Sequence, residues 1–160
     1  MVIQPHKGAQ VTSFDVKRFT EVITVRAVLE AYAASLAARQ MTPKLLLRLR
    51  QMNEKMTKAA AEGDFSKFSM INKEFHREIY ETGGNRLLVD TIINLWDGGN
   101  WSSNIFKYYP EKMKDSAEDH TVILDALERG DVDGVKLLVE QHKLRNLEVY
   151  EMTAMMVFNH

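Results

Sequence analysis

Residues 72–85 read NKEFHREIYETGGN, and within them Asn72 and His76 stand four apart. On a helix that spacing sends an amide oxygen and an imidazole off one face. Phe75, Ile79 and Tyr80 supply the apolar positions around them, and two further histidines fall among apolar residues later in the chain. His120 neighbours Val122 and Ile123, and His142 lies between Leu138 and Leu144. Taken one at a time, each could be a core histidine with a satisfied hydrogen bond. Three inward histidines in one small domain are harder to place that way, because buried imidazoles need partners. One divalent ion satisfies all three at once. Neutral imidazole suits zinc, nickel, copper, iron and manganese in varying degree, and the expectation is a divalent transition metal, zinc or nickel first. Asn72, His76, His120 and His142 are therefore the candidate metal ligands, while His6 and His160 read as solvated.

These residues need helices to carry them. From Ser13, SFDVKRFTEVITVRAVLEAYAASLAARQ repeats apolar residues at helical spacing (Phe19, Val22, Ile23, Val25, Leu29, Tyr32, Ala33, Leu36), and its alanines permit close approach of a neighbour. Thr42 and Pro43 suit the N-cap and first position of a second helix over 43–61, with Leu46, Leu49, Met52 and Met56 on one side. A third runs from Phe65 to Thr82 and a fourth from Arg86 through Trp96. Gly98 and Gly99, each costing a helix ~1 kcal/mol, predict a kink or break. A fifth starts near Pro110 and ends at Gly130, and Asp131 caps a sixth. Before Ser13, VIQPHKGAQV reads as strand and turn. The expectation is an all-α antiparallel bundle of six or seven helices with a short strand-like N-terminal remnant.

Composition narrows the function. The chain has 160 residues, 21 basic against 22 acidic, for a net charge of −1. A domain gripping nucleic acid by its phosphates carries a basic surplus, which is absent. The absence of cysteine removes disulfides, thiolate nucleophiles and thiolate zinc sites. No apolar run approaches the ~20 residues of a membrane span. The N-terminus has no apolar core of a signal peptide, which points to a cytoplasmic protein.

Four segments, VRAVLEAYAASLAA, NKEFHREIYETGGN, EDHTVILDALERGD and VEQH, occur in an order that resembles the FCD domain. That domain is the ligand-binding half of FadR-subfamily regulators in the GntR family. The likeness runs from about Phe14 to Phe158 and implies two segments, an effector-binding domain over 13–160 and a remnant of a wing strand and linker over 1–12. It implies that a winged helix-turn-helix, not found in this chain, would do the DNA reading. In the metal-binding branch of the family an Asp, sometimes Asn, precedes a His by four, and two later His complete the set. This resemblance implies the same four ligands, with Asn72 in place of the commoner Asp. An amide is a neutral, weaker donor, so the ion would keep its charge and attract an anion.

The resemblance also implies that Arg26, in TVRAVLE, engages an effector carboxylate; from the residues alone it is a surface ion pair with Glu30 one turn on. Where relatives often carry basic residues, WDGGNWSSN offers Trp101 and Asn104 as effector contacts. The expected function is a non-enzymatic sensor of a small carboxylate, acting as a homodimer. The rival reading is a metal-dependent hydrolase, since three His and one oxygen leave room for an activated water. A helical dimerisation module with no ligand is a third. Glu118 and Asp119 adjoin His120, but a helix turns them partly away, and no H-E-x-x-H motif is present.

Overall fold

A computed structural model describes residues 13–97 and 101–158. Seven helices follow one another: α1 (Ser13–Ala38), α2 (Pro43–Ala61), α3 (Phe65–Thr82), α4 (Arg86–Asp97), α5 (Trp101–Tyr108), α6 (Glu111–Glu128) and α7 (Val132–Phe158). No strand occurs among the described residues. The strand-like remnant over 1–12 and the break expected at Gly98 and Gly99 lie outside them. The helical sequence on either side of those glycines does form two separate helices, α4 and α5, so the bundle has seven members.

Local chemistry sets the boundaries. Thr42 caps α2 by accepting from the Leu45 backbone N–H at 3.2 Å, with Pro43 in the first position. Asp64 caps α3 through the Lys67 N–H, and Asp131 caps α7 through the Gly134 N–H. The paired glycines after α3 have separate tasks. Gly84 takes φ +80°, a left-handed conformation that a side chain disfavours. At Gly83 a Cβ would meet the Leu36 Cβ at 2.8 Å and the Ala33 carbonyl oxygen at 3.1 Å. Here α3 lies against α1 with no space for a methyl group.

The same small-residue logic runs along α1. Ala27, Ala31, Ala34 and Ala38 are buried, and α1 packs most extensively on α7, then on α3 and α4. Opposite, Val25, Val28 and Tyr32 are exposed, so the apolar stripe expected on α1 is narrower than the sequence implied. α2 packs on α6 and α3, and α6 on α7. The interior between these layers is filled by Leu49, Met56, Phe68, Phe75, Ile79, Ile92, Met113, Ile123 and Leu124, all fully enclosed. Each such side chain contributes ~1.5–3 kcal/mol by leaving water. Phe75 and Ile79 flank His76 on α3, so the packing that orders the core also orders that imidazole.

Candidate metal centre

α3, α6 and α7 each bring one histidine inward. His76 is 3% exposed, His120 0% and His142 4%, and one ring nitrogen of each lies within 4.8 Å of the other two. Ring centroids are 4.9 Å apart for His76–His120, 5.4 Å for His76–His142 and 4.9 Å for His120–His142. The Nε2 atoms of His76 and His120 approach to 3.2 Å. Two nitrogens sharing one tetrahedral zinc at ~2.0–2.1 Å stand ~3.3–3.4 Å apart, so this separation is one a single ion bridges. Phe75 stacks on His120 at 4.5 Å and closes one side.

Asn72 lies a turn before His76 on α3. Its Oδ1 is among four buried side-chain atoms without a hydrogen-bond partner among the described residues, with Ser69 Oγ, Glu78 Oε2 and Trp96 Nε1. A buried, unsatisfied amide oxygen costs ~1–3 kcal/mol unless something binds it. Three neutral imidazoles with an orphaned oxygen one turn away fit a borderline divalent ion well.

The surroundings keep the imidazoles uncharged. Burial lowers the proton affinity of His76 and His120 well below that of a free imidazole, and the Lys143 charge adds to this. His142 is also lowered by burial, although the Asp119 carboxylate, 2.9 Å from its Nδ1, opposes the shift. Burial would raise Asp119, but its bond to His142 and the Arg145 guanidinium hold it below the usual carboxylate range. Asp119 therefore does not turn away from the centre; it grips the histidine of the next helix. Held from two sides, it is not a free base for hydrolysis.

A second buried group touches the first. Arg26 donates from Nε to Glu30 Oε2 at 2.9 Å, with Arg26 8% and Glu30 0% exposed. The pair foreseen from spacing exists, but at the core rather than on the surface. Glu30 also accepts from the Tyr80 hydroxyl at 2.9 Å and meets Lys143 Nζ at 3.2 Å. Burial alone would raise the Glu30 carboxyl, yet Lys143, Arg26 and Tyr80 hold it below the ordinary range. Tyr80 lies 3.4 Å from His76 Nδ1, so the network abuts the histidines. The Arg26 guanidinium lies 5.9 Å from the Trp96 ring centre. Trp101 and Asn104 lie on α5, but their side chains are outside those described.

Sequence reading missed Glu30, Tyr80 and Lys143 as parts of this centre. The available signals were modest: Glu30 follows Arg26 by four, Tyr80 follows His76 by four, and Lys143 adjoins His142.

The FCD domain family matches residues 21–145, which include all four candidate ligands and Arg26. The chain belongs to the FCD domain family. Its relatives among characterised proteins include the HTH-type transcriptional regulator McbR of Escherichia coli K12, 23% identical over 92% of this chain and 67% of that protein. A probable D-xylose utilization operon transcriptional repressor of Paenarthrobacter nicotinovorans is 28% identical over 86% of this chain and 60% of its own length. The Uxu operon regulator of Haemophilus influenzae is 28% identical over 81% of this chain and 49% of its own. The chain thus spans about half to two thirds of these relatives. The solved E. coli McbR/YncC structure shares the fold, with TM-score 0.79 at 24% identity, over 86% of this chain and 66% of that one. The relatives named above are regulators of transcription by their descriptions. No helix among the described residues is long and apolar enough to cross a membrane.

Proposed function

We propose that this FCD domain, residues 13–160, is the effector-sensing part of a cytoplasmic GntR-type regulator of the FadR subfamily, holding a divalent metal, zinc or nickel first, through Asn72, His76, His120 and His142. The observation that carries the reading is the convergence of three neutral imidazoles, with the unsatisfied Asn72 oxygen one helical turn before His76. When bound, the ion supplies a Lewis-acid centre of positive charge to which an anionic oxygen can attach. None of the four ligands is anionic, so that charge is not cancelled within the set.

The effector class that suits such a centre is a small carboxylate. Arg26 adds a cation from α1; Glu30 takes its Nε and leaves the Nη groups as donors for a carboxylate. Trp96 Nε1, buried and without a partner among the described residues, offers a further donor beside Arg26. Trp101 and Asn104 on α5 complete the proposed effector contacts. DNA reading is assigned to a winged helix-turn-helix, and pairing of two domains to a homodimer, since palindromic operators call for two-fold symmetry.

Metal analysis of the purified protein tests the centre, followed by a thermal-shift screen of carboxylic acids with and without chelator. The expected result is about one divalent ion per chain and acid-induced stabilisation that chelator removes. His76→Ala, His120→Ala and His142→Ala should each lower metal content. Full occupancy in all three would refute the shared site.

A further inference from the structure

We infer that Asn53 on α2 is the positioning residue of the metal centre, fixing His120 in the tautomer that presents Nε2 to the ion. The inference rests on the metal reading above. Asn53 stands in the apolar stripe of α2 with Leu46, Leu49 and Met56, where the pattern calls for a hydrophobic side chain, and it is only 6% exposed. Nothing in the packing of α2 on α6 asks for an amide. The hydrogen bonds do.

The Asn53 Nδ2 donates to the Ala117 carbonyl oxygen at 3.0 Å and to Thr121 Oγ1 at 3.1 Å. Thr121 in turn donates to the same Ala117 oxygen at 3.3 Å, so its own oxygen is free to accept from Asn53. Both amide hydrogens are thereby used, and flipping the amide would set its oxygen against the Ala117 carbonyl, which cannot donate. The Asn53 oxygen is left facing His120 Nδ1 at 3.1 Å, and an amide oxygen can only accept. Nδ1 must then carry the ring hydrogen. Nε2 carries the lone pair, and it is the atom 3.2 Å from His76 Nε2.

The other two histidines are held at Nδ1 by groups already described, His142 by Asp119 and His76 by Tyr80. All three rings thus have Nδ1 engaged by another group, which leaves Nε2 of each for the shared space. Metal-bound histidines are commonly oriented in this way by the partner of the second nitrogen. Asn53 is distinct in being neutral and in coming from a helix that supplies no ligand. It aligns His120 without adding charge, which leaves the positive field of the centre for an anion.

The test uses the intact chain with Zn²⁺ as probe, measuring affinity by competition with a chromophoric chelator. Long-range ¹⁵N–¹H NMR of the metal-free protein reads the histidine tautomers. In the parent, His120 should be the Nδ1–H form. Asn53→Leu should weaken zinc ~10–100-fold and release His120 from that tautomer. Asn53→Asp keeps the acceptor but gives up both donations, so it should melt below the parent yet retain the tautomer and bind zinc at least as tightly. A residue needed only for packing would show the reverse, with zinc affinity tracking stability across both variants. Parent-like zinc affinity and tautomer in Asn53→Leu, or an Nε2–H His120 in the parent, would overturn the inference. Zinc uptake by the parent tests the metal reading separately, since its absence overturns that reading whatever Asn53 does.

Discussion

Replacing Glu30 by Gln changes two atoms' worth of chemistry and almost no volume. The carboxylate is fully enclosed and is the shared counter-charge of Arg26, at 2.9 Å, and Lys143, at 3.2 Å. Glutamine can still accept from Tyr80, but two buried cations then face each other with no anion between them. Removing one partner of a buried pair costs ~3–5 kcal/mol, because the remaining charge is desolvated without compensation. In a domain of this size each kcal/mol moves the melting point by ~2–4 °C, which predicts a fall of roughly 6–20 °C. The assay is thermal unfolding followed by circular dichroism at neutral pH with chelator present, so that metal uptake does not contribute. Glu81→Gln is the control: Glu81 pairs with Arg77 at 2.9 Å, but both side chains are half exposed, and such a pair is worth at most ~1 kcal/mol. A Glu30→Gln protein melting within the range of the Glu81→Gln control would refute the claim that a buried charge network braces α1 against α3 and α7.

Three further outcomes follow from the geometry. Burial holds His76, His120 and His142 below the free imidazole range, so the unfolded chain binds more protons once pH drops through ~6.5. Stability and metal content should therefore be full above that point and fall below it, whereas the contributions of Glu30 and Asp119, whose carboxyls are lowered, should persist until the pH nears ~4; a flat melting profile between pH ~7 and ~5 would contradict this. Asn72→Asp should tighten the metal by supplying a charged oxygen while weakening an anionic effector through partial loss of the positive field, as chelator competition and an effector titration would show. Gly83→Ala should cost ~1–3 kcal/mol in chemical denaturation, since a Cβ has only 2.8 Å to the Leu36 Cβ, and a neutral result would mean that α1 and α3 are not so closely held.

Helix ends and the spacing of the candidate ligands were legible in the sequence for a common reason: both are local. Thr42 with Pro43, and Asp131 after Gly130, announce helix boundaries through chemistry confined to a few residues. The spacing of Asn72 and His76 likewise needs only the helical repeat. What stayed hidden depends on which helices meet. The Arg26–Glu30 pair was readable as a pair, but its burial follows from α7 bringing Lys143 over it. Asp119 was placed partly away from His120, correctly for a single helix, but α7 sets His142 in front of it. The fourth helix was expected to end near Trp96, but α5, only eight residues long, was too short for periodicity to mark as a helix of its own. Asn53 did leave a trace, as the one amide in a stripe of Leu46, Leu49 and Met56, though nothing local names the histidine it serves.

The packing of α1 against α7 has a consequence for synthesis. The alanine face of the first helix finds its main partner more than ninety residues later, in the last helix of the bundle. At ~5–20 residues per second, a ribosome that has finished α1 takes several seconds more to reach the start of α7. During that interval the largest interface of α1 is unformed, and the third histidine has yet to be made. The domain therefore cannot close as it emerges; it must wait for its final helix, and a chain cut short before α7 would leave both its longest interface and its candidate metal centre unfinished.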